Sequence, residues 1–112
     1  SVTGVQTCAL PISMAKLAKQ MLKDALDSFV QRSVDDAYQV GRADNEVDVL
    51  YERVYQDLIA IMVQDSTTIE ACTHLLWIAH NLERIADRAT NIAERVVFTV
   101  TGMMPEMDTS NY

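Results

Sequence analysis

The sequence is poor in the residues that punctuate a chain. It holds only three Gly and two Pro, too few for a turn-rich sheet fold and well suited to long helices. Its two cysteines, Cys8 and Cys72, supply no disulfide framework. Cys72 falls at an apolar helical position, the usual place of a small buried thiol. A reducing, cytoplasmic setting is therefore the expectation. No apolar run approaches the roughly 20 residues needed to cross a bilayer. Bases are scarce, with nine Lys and Arg against sixteen Asp and Glu, and the net charge of −7 argues against a nucleic-acid partner. There is no glycine-rich phosphate loop, and no Ser-His-Asp or Cys-His arrangement emerges.

What remains is helical pattern. The chain has 112 residues, 49% of them hydrophobic, enough for one small domain. The stretch Leu82 to Glu94, LERIADRATNIAE, lies inside a predicted helix from about Thr68 to Thr101. Two apolar series run through that helix. One comprises Ile69, Cys72, Leu76, Ala79, Ala86, Ala93, Val97 and Val100. The other comprises Leu75, Ile78, Leu82, Ile85, Ala89, Ile92 and Val96. A helix with two such seams can pack against two neighbours at once.

Two earlier helices are predicted. Met14 to Gln31 carries Leu17, Met21, Ala25 and Phe29 at helical spacing. Ser33-Val34-Asp35-Asp36 resembles a capping box with Asp in place of Glu and opens a second helix over Val34 to Val63. Its seam runs through Ala37, Val40, Val47, Val54, Leu58 and Ile61, with Asp44 and Tyr51 occupying seam slots. Gly41 marks a bend or a close helix approach. Thr67-Thr68-Ile69-Glu70 fits a capping box for the third helix, and Gly102 fits its stop. Three helices with short connections predict an all-α, antiparallel three-helix bundle. Residues 103–112 have little to bury and read as a flexible tail.

The first thirteen residues stand apart. Val2 to Ile12, VTGVQTCALPI, resembles one reading frame of a sequencing-library adapter translated at the edge of an assembled read. It has no charge, no seam periodicity and no capping pattern. Residues 1–13 are accordingly expected to form a non-native arm outside the bundle, with the true upstream sequence missing.

The acidic residues carry the functional signal. Asp44 and Asp48 are four apart on the second helix, and Glu83 and Asp87 are four apart on the third. Counted from the turn near Ser66, Asp48 lies eighteen residues before and Glu83 seventeen after. Asp44 lies twenty-two before and Asp87 twenty-one after. At about 1.5 Å rise per residue the two pairs sit at one height of an antiparallel hairpin. Asn91 and Glu94 continue the Glu83/Asp87 face. Carboxylates so gathered repel, and a bound cation, neighbouring Arg84, Arg88 and Arg95, or solvent must relieve them. Oxygen ligands favour Mg, Ca or Mn, or an oxygen-tolerant Fe or Zn site. His74 and His80 share no ligand face and read as polar residues at the seam edge. Trp77 lies away from the main seam and reads as a packing residue against another domain. The six methionines read as core filler.

LERIADRATNIAE, followed by an apolar turn and Thr101-Gly102, closely resembles the signature of PhoU proteins, the accessory and regulatory family of phosphate transport. Ala43 to Asp48 resembles the family's acidic segment on the preceding helix, and Val63 to Ile69 its helix-helix turn. The resemblance spans about Leu17 to Gly102. It implies one three-helix repeat over residues 14–102 of a protein that has two such repeats, here the C-terminal one. It also implies metal ligation by Asp44, Asp48, Glu83 and Asp87, with Asn91 and Glu94 as further ligands and Fe, Zn, Mn or Mg as the metal. The implied role is a cytoplasmic, non-enzymatic adaptor between the phosphate ABC transporter ATPase and a phosphate sensor histidine kinase. It would repress the starvation response, act as a homodimer at full length, and reach the membrane only through its partners. Two other readings stay open. One is half of a ferritin-like carboxylate-bridged metal enzyme, against which the absent Glu-x-x-His pairs count. The other is a plain helical dimerisation module.

Overall fold

Three helices of about thirty residues each lie side by side. The computed structural model describes the backbone of residues 2–107 and side chains from residue 9 onward. Ser1, the Cys8 side chain and residues 108–112, the second half of the expected tail, lie outside that description. Helix α1 spans Val2–Gln31, α2 Val34–Gln64 and α3 Ile69–Thr101. A single 3-10 turn, Ser66–Thr68, links α2 to α3. At about 1.5 Å per residue a helix of this length is roughly 50 Å long. That accounts for the long axis of the 53 × 25 × 16 Å body. Each helix packs on both others, as an antiparallel three-helix bundle requires.

The connections follow from local chemistry. Arg32 takes a left-handed φ of 53°, and the Ser33 amide donates to the Ser28 carbonyl at 3.0 Å, which closes α1. Glycine would adopt that backbone at less cost, because it has no Cβ to crowd the carbonyl. Ser33 then caps α2, its hydroxyl accepting from the Asp36 amide at 3.2 Å, as the sequence predicts. At the second connection the cap differs from expectation. Thr68 precedes α3 without a side-chain cap, and no Thr67–Glu70 box forms. Asp65 caps the 3-10 turn instead, accepting from the Thr67 amide at 3.0 Å and the Thr67 hydroxyl at 2.6 Å. The extra turn moves Thr67 inside the connection, where it donates to Asp65. Gly102 ends α3 with φ 78°, its amide donating to the Phe98 carbonyl at 2.8 Å.

The Asp65 cap has a pH signature. Hydrogen bonds from the Thr67 side chain and backbone hold its carboxyl below the ordinary value of 3.8. A depressed folded-state value means the carboxylate stabilises the fold above its unfolded pKa and loses that contribution as pH falls through the folded one. Melting of Asp65→Asn against the native chain should therefore differ at neutral pH and converge below about pH 4. Equal melting temperatures at pH 7 would remove the cap from the account.

The core is narrow and built of small residues. From α1 it takes Met14, Ala18, Met21 and Ala25; from α2, Ala37, Val40, Val47, Val54 and Leu58. From α3 it takes Cys72, Ala79, Ala86, Ala89, Ala93, Val96 and Val97. Alanines at these steps let backbones approach closely, and so the bundle is only 16 Å deep at its thinnest. Cys72 is a free, buried thiol, as its position predicts.

Three further expectations change. The sequence starts the first helix at Met14, whereas α1 begins at Val2 and runs through Pro11. Proline inside a helix removes one ladder hydrogen bond. Here Pro11 is buried and Leu10 packs against the core, so residues 9–13 join the bundle and do not stand off it as an arm. At the other end of α1, Phe29 is 59% exposed while Ser28 is fully buried, donating to the Ala25 carbonyl at 2.7 Å. The buried series therefore runs 14, 18, 21, 25, 28 and leaves Phe29 one position off it. On α3 the first seam is largely interior, but Ile78 and Ile85 of the second are 49% and 41% exposed. Two neighbours cover one broad stripe of α3, and the second seam lies partly outside it. Beyond Gly102 the chain turns back, and Met107 packs against the core beside Gly41.

Candidate functional site

The α2–α3 pair is a hairpin whose helices both turn acidic residues inward. Asp44 takes a seam slot between Val40 and Val47 and is 2% exposed. Asp87, beside Ala86 in the α3 stripe, is 9% exposed. Asp48 and Glu83, one turn nearer the connection, are half-buried. One carboxylate oxygen of each of Asp44, Asp48 and Asp87 is sealed from solvent. Desolvating a carboxylate is costly, so such burial in a small bundle needs compensation. Asp44, Asp48, Glu83, Asp87 and Glu94 each engage in hydrogen-bonding or electrostatic contacts with their surroundings.

A further observation ties the two helices at this height. The Tyr51 phenol, three residues beyond Asp48, is held above its usual range first by burial and then by the charge of Glu83 across the hairpin. Glu83 thus lies opposite the Asp48–Tyr51 turn of α2, where the counting from Ser66 puts it.

The remaining sequence candidates separate. Glu94 is half-buried two turns beyond Asp87. Asn91 is exposed and lines a groove with Phe29 of α1, together with Arg88, Ile92, Arg95 and Thr99. Arg88 and Arg95 therefore reach the α1 side of α3. Among the described residues no three His, Cys, Asp or Glu side chains converge closely enough to form a ready-made metal cage. The carboxylates do not meet at one point. Their donor chemistry, oxygen only, fits hard cations held between two rigid helices.

One grouping was not visible in the periodicity. Tyr51 of α2 and Thr73, Leu76, Trp77 and His80 of α3 line an open cavity of about 290 Å³. Trp77 meets His80 edge to face, with ring centroids 5.9 Å apart and planes at 81°. Aromatics on separate helices signal a shared cavity only once the helix rotations are known.

An all-helical bundle with carboxylates paired across one hairpin is the class the fold and site define. The PhoU domain family matches residues 12–96, and the chain belongs to that family. It is 38% identical over 96 residues to a phosphate-specific transport system accessory protein PhoU homolog of Clostridium acetobutylicum, covering 86% of this chain and 44% of that one. The Caulobacter vibrioides homolog is 47% identical over 89 residues, covering 80% of this chain and 39% of its own. The Escherichia coli accessory protein PhoU is 38% identical over 90 residues, covering 80% and 37%. The chain thus spans about two fifths of the length of these relatives. No solved structure matches it significantly. None of the described helices is long and apolar enough to cross a membrane.

Proposed function

We propose that this chain is a cation-binding repeat of a regulatory adaptor of phosphate uptake. The observation that carries the reading is the inward-facing carboxylate set of α2 and α3 in a chain of the PhoU family. Asp44, Asp48, Glu83 and Asp87 would hold one or more cations of the Mg, Mn, Fe or Zn kind, with Glu94 as an outer ligand and Asn91 the least well placed. A bound cation would supply positive charge that relieves carboxylate repulsion and locks α2 against α3. The residues themselves fix spacing and exclude water from one oxygen of each aspartate. The adaptor role in this reading is non-enzymatic. In this reading the intact protein is a cytoplasmic homodimer that contacts the phosphate transporter ATPase and a phosphate sensor histidine kinase. Its relatives' designation as transport-system accessory proteins supports the first contact.

The test is co-purification of the 112-residue chain with the ATPase subunit of a bacterial phosphate transporter, with Mn present and with chelator. Retention that is stronger with Mn, and that Glu83→Gln with Asp87→Asn weakens only when Mn is present, is expected. Absence of retention in both conditions would sink the proposal that this repeat carries the contact.

A further inference from the structure

The aromatic cavity between α2 and α3 has a chemistry of its own. At about 290 Å³ it sits at the lower edge of the roughly 300–1,000 Å³ typical of small-molecule pockets. It therefore suits a side chain or compact ion better than a nucleotide. Its wall is mostly π surface. Trp77 is 61% exposed and meets His80 edge to face. Tyr51 faces it from α2, and Leu76, packed against the core, forms the floor. Two carboxylates act on its Tyr51 side. Glu83 lies one turn beyond His80, and both Glu83 and Glu52 act on the Tyr51 phenol. Aromatic faces with carboxylates near them attract cations, because the ring quadrupole and the nearby charge act in the same sense.

We propose that this cavity binds a cationic side chain, an arginine above all, presented by a partner protein. A guanidinium stacks flat on an indole, stays charged at any physiological pH and is weakly hydrated, so it enters such a cleft more readily than an ammonium. Trp and Tyr facing an incoming Arg are the residue types that dominate binding energy at protein interfaces. Only Glu83 is shared with the acidic quartet, and the site does not require that quartet to hold a metal.

Trp77 is the only tryptophan of the chain, so its fluorescence reports on this cavity alone. The full chain, in chelator and at constant ionic strength, is titrated with N-acetyl-arginine amide. A parallel titration uses the citrulline analogue, a neutral isostere. The arginine compound should change Trp77 emission saturably with a Kd on the order of 10 mM, and the citrulline compound should not. Glu52→Gln, at an exposed position, and Tyr51→Leu should each weaken arginine binding several-fold, with helicity by circular dichroism unchanged. A parallel loss of helicity in Tyr51→Leu would leave Glu52→Gln as the deciding variant. Equal responses to arginine and citrulline overturn the proposal, as does undiminished affinity in Glu52→Gln.

Discussion

Leu58→Ala should lower the stability of the bundle by about 2–5 kcal/mol, the usual range for emptying a buried leucine site. Leu58 is among the largest side chains that are wholly buried. The core is mostly alanine and valine, short side chains that reach little further to fill a vacated space. For a domain of this size the loss corresponds to roughly 10–20 °C in melting temperature. Ile59→Ala, one position along, is the control. Ile59 is 38% exposed, so its truncation removes less buried surface and leaves no closed cavity. Denaturant unfolding of both variants checks the pair. Comparable losses at the two positions would mean that α2 is rotated from the orientation described here.

The second large effect concerns the acidic quartet. Addition of a cation at about 100 times its dissociation constant should stabilise the native chain by about 2.7 kcal/mol through mass action. The double change Glu83→Gln and Asp87→Asn preserves side-chain size while removing two charges. It should abolish that gain, and without metal it should melt higher than the native chain because carboxylate repulsion is relieved. Neutralisation by Arg84, Arg88 and Arg95 forecasts the reverse: metal would change little, and loss of the acids would destabilise. Thermal melts of both proteins, with chelator and with Mg, Mn, Fe or Zn, separate these outcomes. A native chain that melts identically in all of them removes the metal from this site.

Most of the architecture was legible in the sequence, because a step of three and four survives as a buried stripe wherever the helix is straight. Val40, Asp44, Val47 and Val54 are buried as their spacing predicts, and Ser33 and Gly102 cap where their chemistry says. The misses share a cause: each depends on how a helix is rotated or extended by its neighbours. Spacing puts Phe29 and Ser28 equally well near the seam, and the bundle buries the serine. Periodicity gives α3 two seams, yet only packing decides that Ile78 and Ile85 stay half out. Val2 to Ile12 shows no charge pattern, and its helix is carried by continuity with Met14 and by burial of Pro11. For the site, counting along a hairpin puts four carboxylates at one height. It does not give the rotation about each axis, which decides that Asp87 is buried while Asn91, one turn on, is exposed.

The contact of Met107 with Gly41 makes two distant positions mutually dependent. A Cβ at residue 41 would lie 2.9 Å from the Met107 sulfur and 3.1 Å from both its Cβ and its Cγ. Alanine is worth roughly 1 kcal/mol more than glycine inside a helix, so α2 alone would gain from the exchange. The returning chain offsets that gain by the shift the Met107 side chain must make to admit a Cβ. A larger residue at 41 should consequently be better tolerated where 107 is small than where it is methionine. In descendants of this sequence the two positions would drift together, a coupling that nothing in the separation of 66 residues between them would suggest.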